Sequence, residues 1–121
     1  MKKTKYVKLS DKRTVYVDID ETIIGWDHHS NPKATPIETA NDGYLYVVLH
    51  KEHIELVKNL YNIGWNVIVW SQGGSDHAEK VVRQVGLNGF VHMIVPKPEC
   101  YIDDIPFEQQ YIKRIYKPFP T

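Results

Sequence analysis

The chain has 121 residues, a length that fits one domain with its own hydrophobic core. With 42% hydrophobic and 25% charged residues, the composition is that of a soluble globular protein, and no apolar run approaches the roughly 20 residues of a membrane-spanning helix. The formal net charge is zero, which excludes a strong overall field that would attract nucleic acid. The single cysteine, Cys100, excludes an internal disulfide, and the lack of an apolar leader indicates a cytoplasmic protein.

The first thirteen residues are a polar lead-in that is rich in positive charge. The basic side chains are those of Lys2, Lys3, Lys5, Lys8, Lys12 and Arg13, against one acid, Asp11. A run of like charge is usually a solvated surface. The alternative is a basic arm that attracts a phosphate-bearing substrate, and both interpretations stay open.

The first main strand is predicted over about residues 14–19, and it ends in two carboxylates. Residues 14–17 are β-branched or aromatic, which favours a buried strand. Asp18 and Asp20 follow at alternate positions, so in extended backbone their side chains point to the same side. Burial of two acids is costly unless a cation pairs with them. The end of this strand therefore indicates a chemical site.

Residues 25–43 are predicted to be loop-like, because they are rich in turn-forming residues. Residues 37–40 and 44–49 flank a turn at Asp42-Gly43 and predict a β-hairpin. This hairpin is too short to be a separate domain. We expect residues 25–49 to form a flap over Asp18 and Asp20.

The rest of the chain alternates between helical and strand patterns. Helices are predicted over residues 51–63 and 76–85, the second with a capping box of Asp76 and Glu79. Strands are predicted over 65–70 and 90–95, a short fourth strand begins at Tyr101, and a final helix covers 107–116. Cys100 is expected to be buried beside that fourth strand. This order implies parallel strands with right-handed crossovers, and hence one small doubly wound α/β domain over residues 1–121.

In such sheets ligands bind outside the carboxyl ends of the strands, and polar residues follow the predicted strands there. Besides the acids of the first strand, they are Ser71, Gly73-Gly74, Lys97, Asp103 and Asp104. Two like charges about 4 Å apart repel by ~4 kcal/mol at an effective dielectric of ~20, so four carboxylates require a counter-charge. Oxygen ligands favour Mg²⁺ over zinc. Together with a lysine, a hydroxyl and a helix N-terminus, this set predicts a phosphoryl-transfer site.

These motifs resemble those of the haloacid dehalogenase (HAD)-like hydrolase superfamily, in the form of a small capless phosphatase. The four motifs of the family are matched in order by Asp18-Ile19-Asp20-Glu21-Thr22, by Ser71, by Lys97 and by Asp103-Asp104. The resemblance extends over about residues 14–105. It implies a Rossmann-like three-layer sandwich with a mainly parallel sheet. The chain departs from most members in having no cap domain and in the short spacing between its third and fourth motifs.

The resemblance also implies a role for each residue. Asp18 would be the nucleophile that forms an aspartyl-phosphate, and Asp20 would be the general acid and base. The cofactor would be Mg²⁺, held by Asp18, the Asp20 carbonyl and an acid of the fourth motif, with Asp104 favoured as direct ligand and Asp103 beside it. Phosphate-binding residues would be Ser71, Gln72, Lys97 and Ile19, with Thr22 supporting the turn. Candidate substrate contacts are Trp26, His28, His29 and Gly73.

The implied function is that of a phosphatase, a phosphoric monoester hydrolase with an open site. The phosphorylated substrate stays open: a nucleotide, a polynucleotide end or another large molecule. One alternative is a non-enzymatic phospho-acceptor or regulatory domain. Another is a small-metabolite phosphatase whose site is closed by a neighbouring subunit. The sequence predicts no membrane partner and does not determine the oligomeric state.

Overall fold

The computed structural model describes residues 5–26, 31–39 and 43–119, and it has a small α/β fold. In chain order the elements are β1 (Thr14–Val17), β2 (Ile24–Trp26), β3 (Thr35–Glu38), β4 (Tyr44–Leu49), α1 (Lys51–Asn62), β5 (Asn66–Ser71), α2 (Ser75–Gln84) and β6 (Met93–Pro96), followed by a 3-10 turn at Phe107–Gln109. The predicted α/β class with parallel strands is confirmed. Within these residues, neither helix combines the length and the apolar character that crossing a membrane requires.

The three parallel strands form one sheet in the order β1-β5-β6. Val17 pairs with Val69, which pairs with Ile94 on its other side. Both connections step across the sheet in the same direction, so right-handed crossovers place α1 and α2 on the same face. The core agrees with this, because Val17 and Val69 belong to one buried cluster with Val57 of α1 and Val81 of α2.

The opposite face of the parallel sheet carries no helix of the described residues. Tyr16 on this face is 51% exposed, and its ring contacts Trp70 with 4.8 Å between centroids. Within the described residues the parallel sheet therefore has helices on one face, where the resemblance implies a three-layer sandwich with helices on both.

The segment after β6 differs most from the prediction. Neither a fourth parallel strand at Tyr101 nor a helix over 107–116 forms, and Cys100 is exposed. The large apolar side chains of this segment are also exposed, among them Tyr111, Ile112 and Ile115. No strand of the described residues pairs with this segment, and its apolar side chains stay exposed, so a ten-residue helix lacks the packing that would stabilise it.

A second, antiparallel sheet has the order β2-β4-β3. The predicted hairpin is confirmed in β3 and β4, with Ile37 paired to Leu45. β2 lies where a loop was predicted, and Ile24 pairs with Leu49. This strand has only three residues and includes Gly25, so its sequence carries no strand periodicity. Its place matters for the site, because β2 leads directly out of the turn that holds the two acids.

Candidate functional site

The turn after β1 is wound around one backbone oxygen, the carbonyl of Ile19. The N–H groups of Thr22, Ile23 and Ile24 all donate to it, at 3.1, 2.9 and 3.3 Å. Ile19 as a whole is fully buried, so the structure exposes neither its side chain nor its backbone to a ligand. Glu21 has a φ of 63°, a left-handed conformation that residues other than glycine rarely adopt. This tight turn fixes the positions of the two acids, Asp18 and Asp20.

Both carboxylate oxygens of Asp18 have a partner. The Nζ of Lys97 lies 3.2 Å from Oδ1, and the hydroxyl of Thr22 donates to Oδ2 at 3.0 Å. Lys97 follows β6, and its backbone N–H donates to the carbonyl of Ser71 at 3.1 Å. The ends of three neighbouring strands therefore meet at one edge of the sheet, with Lys97 reaching across β5 to Asp18.

Ser71 ends the central strand and is buried at this edge. Its Oγ accepts from the N–H of Gly73 at 3.1 Å, and its hydroxyl hydrogen has no acceptor among the residues that the structure describes. Gln72 and Gly73 are exposed. Ser71 is thus a hydroxyl donor at the strand end, next to an exposed loop.

The loop leads into α2 without a side-chain cap. The N-cap residue is Gly74, with a φ of 95°, and no side chain caps the helix. The predicted capping box is wrong, because Asp76 lies within the first turn of the helix and not before it. Gly74 takes the cap position since it tolerates the left-handed φ that the loop requires. Among the residues that the structure describes, no side chain therefore accepts from the first backbone N–H groups of α2.

Asp20 has a partner that the sequence did not indicate. The Nε2 of His77 lies 2.8 Å from Oδ1 of Asp20, and His77 is buried on α2. The ring of Trp26 lies 6.1 Å from that of His77, with 25° between the planes. Of the candidate substrate contacts, Trp26 therefore lies beside His77, the residue that is hydrogen-bonded to Asp20. His28 and His29 lie outside the described residues.

Asp103 and Asp104 lie in the exposed segment that follows β6. The backbone N–H of Ile105 and the amide of Gln110 donate to the Asp103 carboxylate at 2.9 and 3.0 Å and lower its pKa below the usual value. Within 5–26, 31–39 and 43–119, no three His, Cys, Asp or Glu side chains are grouped closely enough to hold a metal ion. The described structure therefore keeps Asp18 and Asp20 together at the strand end and does not add a third acid to them.

The described part of the basic lead-in meets the opposite edge of the parallel sheet. The carbonyl of Arg13 accepts from the N–H of Asn66 at 2.8 Å, and its guanidinium lies over the ring of Trp65, 5.7 Å from the centroid. Asn66 begins β5 and Ser71 ends it, which separates the two edges by about 16 Å at ~3.3 Å per residue. The charge of Arg13 is thus far from Asp18, so its position does not support the substrate-attracting interpretation.

Two histidines at the N-terminus of α1 hydrogen-bond to the backbone of the turn after β1. The backbone N–H of His50 donates to the carbonyl of Ile23, and Nδ1 of His53 contacts the carbonyl of Thr22, both at 2.8 Å. The hydroxyl of Tyr116 donates to the carbonyl of Glu21 at 3.2 Å. The sequence did not indicate these supports, since a helix pattern does not specify which backbone carbonyl a polar side chain contacts.

The Asp18 carboxylate thus lies between the ammonium group of Lys97 and the hydroxyl of Thr22. A second acid, Asp20, follows two residues later in the chain. A scan against protein-family models gives no matching family, and a search of the curated proteins gives no similar protein.

Proposed function

We propose that the protein is a HAD-like phosphohydrolase that cleaves phosphate monoesters through a phosphoryl group carried on Asp18. The observation that supports this best is the position of the Asp18 carboxylate between Lys97 and Thr22. A nearby positive charge favours the ionised form that a nucleophile needs. Two fixed partners also restrict the rotation of the carboxylate, which reduces the entropic cost of attack.

In the first half-reaction, a carboxylate oxygen of Asp18 attacks the phosphorus atom. A bond forms between this oxygen and phosphorus while the bond from phosphorus to the ester oxygen breaks. The proton of Asp20 passes to that ester oxygen, which leaves as an alcohol. Lys97, the Ser71 hydroxyl and the exposed Gln72 are the groups proposed to hold the other phosphate oxygens.

In the second half-reaction, a water molecule attacks the phosphorus atom of the aspartyl-phosphate. The bond from phosphorus to Asp18 breaks, and a proton of the water passes to Asp20. Inorganic phosphate leaves, and both acids return to their initial states. The sum is one ester and one water converted into one alcohol and one phosphate.

The proposal includes Mg²⁺ as the cofactor. Proteins commonly bind this ion through one or two carboxylates and leave the other positions to water and substrate oxygens. Asp18 and the main chain of Asp20 fit that mode without a further acid, and Asp104 is not needed for it. When bound, the ion would neutralise negative charge on the phosphate.

The experiment is an assay of phosphate release in the presence of Mg²⁺, with p-nitrophenyl phosphate, alkyl phosphates and a phosphorylated oligonucleotide as substrates. The Asp18→Asn variant should lose activity by at least about a thousandfold, because it removes the nucleophile. Asp11→Asn is the matched control, since it makes the same change at an exposed acid outside the site. Wild-type protein that is inactive on every ester would disprove the proposal.

A further measurement separates the enzyme from a phospho-acceptor domain. After mixing with a substrate and acid quenching, mass spectrometry should locate a phosphoryl group on the peptide that contains Asp18. In the enzyme this group disappears within the turnover time. A phosphoryl group that persists for minutes, without release of phosphate, would favour the phospho-acceptor alternative.

A further inference from the structure

The side chain of Asp20 is hydrogen-bonded to His77, a residue that has no role in the reaction steps proposed above. Nε2 of His77 lies 2.8 Å from Oδ1 of Asp20. An ionised carboxylate has only lone pairs to offer, so the ring nitrogen is the donor. The bond joins α2 to the turn after β1, across 57 residues of sequence.

The imidazole ring of His77 has little freedom to move. It is buried, and the ring of Trp26 lies along it with 25° between the planes. On another side it approaches Gly73, where an added Cβ would lie 2.9 Å from Cδ2 of the imidazole. That distance is shorter than a non-bonded carbon contact permits, so the space for the ring depends on glycine at this position.

We propose that His77 is a positioning residue that occupies Oδ1 of Asp20 and so makes Oδ2 the oxygen that carries the transferred proton. This inference rests on the proposed function. The donated bond to Oδ1 is compatible with both forms of the acid: in the carboxylate Oδ1 is one of two equivalent acceptors, and in the acid it is the carbonyl oxygen. The bond therefore persists through the cycle, and the proton is always added to and removed from Oδ2.

The consequence concerns the first half-reaction most directly. The proton on Oδ2 passes to the ester oxygen as the phosphorus–oxygen bond breaks, and a freely rotating acid would present the proton only part of the time. General acid catalysis contributes about 10²–10⁴-fold in enzymes, and it matters most for a poor leaving group. p-Nitrophenolate leaves without protonation, whereas an alkoxide does not.

The test compares kcat/KM for p-nitrophenyl phosphate and for an alkyl phosphate, because this constant covers only the steps up to release of the alcohol. His77→Leu removes the donor. We expect a loss of about 10²-fold with the alkyl phosphate and less than about 5-fold with the aryl phosphate. His77→Gln keeps an N–H donor and should recover most of the alkyl activity.

Two further variants keep the test decisive if His77→Leu folds poorly. Gly73→Ala leaves the histidine in place but directs a methyl group against its ring, so it should give the same selective loss. His92→Leu is the control, because its ring accepts from the N–H of Val67 at 3.0 Å, at the other edge of the sheet. That variant should lose stability without a change in the ratio of alkyl to aryl activity.

The role of His77 would be overturned if His77→Leu and Gly73→Ala lost equal activity on the alkyl and the aryl phosphate, or if neither variant lost activity. The proposed phosphatase function would remain in both cases. A His77→Gln variant as defective as His77→Leu would overturn it too. Wild-type protein inactive on all esters would instead remove the proposed function, and this inference with it.

Discussion

The imidazole rings of His50 and His53 lie parallel, with 3.6 Å between their centroids and 7° between their planes. The N–H of His53 donates to Nδ1 of His50, so the other nitrogen of His50 donates to the carbonyl of Lys117. Nδ1 of His53 donates to the carbonyl of Thr22, and its Nε2 accepts from the N–H of Lys117. Each ring is therefore neutral with both nitrogens satisfied, and the pair joins the C-terminal segment to the turn of the candidate site.

The first prediction concerns the acid sensitivity of this histidine pair. Burial is the main cause that lowers the pKa of His53 below 6.5, with His50 and Lys117 acting in the same direction, while the bond to Thr22 and the charge of Glu52 oppose it. Since the unfolded state binds the proton near pH 6.5 and the folded state only at lower pH, the free energy of unfolding should fall as the pH drops below 6.5. Well above pH 6.5, where both the folded and the unfolded state have lost the proton, His53 contributes no pH dependence.

NMR titration of the His53 ring and urea unfolding at several pH values check this. The fall below pH 6.5 should be smaller in His53→Gln, which cannot take up a proton. A ring pKa at or above 6.5 in the folded protein would contradict the prediction.

The second prediction concerns Phe119, which anchors the end of the described chain. Its ring meets His50 edge-on, with 4.6 Å between centroids, and lies so close to Gly25 that an added Cβ there would be 3.0 Å from it. Because the ring is half-buried, Phe119→Ala should lower the free energy of unfolding by about 1–2 kcal/mol, less than the 3–5 kcal/mol of a fully buried phenylalanine. Urea unfolding measures this change.

Tyr111→Ala is the control, because Tyr111 lies in the same segment and is 102% exposed. It should be neutral. If the two variants lose the same amount of stability, or if neither does, the ring of Phe119 does not anchor the segment.

The sequence predicts the meeting of Asp18, Ser71 and Lys97 because a general rule applies to all three. Parallel strands bring their carboxyl ends to one edge, so the residue that follows each strand is placed once the strands are recognised. The strands themselves are recognisable from continuous apolar runs such as that of β5. This part of the site follows from local pattern and topology.

The partners of Asp20 and the acids after β6 could not be predicted in this way. His77 reaches Asp20 only because α2 packs beside the turn after β1, and a helix pattern does not specify which neighbour a polar residue meets. Asp103 and Asp104 follow two apolar residues that resemble a strand, but no neighbouring strand pairs with them in the described structure. A short apolar run is evidence for a strand only when a partner strand is available.

The third prediction concerns the hydroxyl of Thr22. Thr22→Val keeps the shape of the side chain but removes the donor to Oδ2 of Asp18, so the carboxylate loses one of its two fixed partners. We expect kcat to fall about tenfold or more, since a misoriented nucleophile is costly, and the free energy of unfolding to fall by about 1 kcal/mol. Steady-state kinetics and urea unfolding measure these changes.

Thr22→Ser restores the hydroxyl and should keep most of the activity. The role of the hydroxyl would be refuted if Thr22→Ser were as slow as Thr22→Val, or if both variants had wild-type kcat.

The fourth prediction separates the catalytic role of Lys97 from a stabilising one. The Nζ of Lys97 lies 3.2 Å from Asp18, and both side chains are about 30% exposed. Partly exposed ion pairs contribute at most about 1 kcal/mol to stability. A cation that stabilises charge in the transition state is worth about 10²–10³-fold in rate. Lys97→Met should therefore reduce kcat by about 10²–10³-fold while the free energy of unfolding changes by less than about 1 kcal/mol.

Lys80→Met is the control, because Lys80 makes an ion pair of similar length, 3.3 Å from Glu38, outside the site, and its side chain is about as exposed as that of Lys97. It should change stability by a similar amount and leave kcat as it is. If Lys97→Met and Lys80→Met have the same kcat, the lysine beside Asp18 does not take part in the reaction. If Lys97→Met instead unfolds the protein, the ion pair is mainly structural, and the case for Asp18 as an activated nucleophile loses its main support.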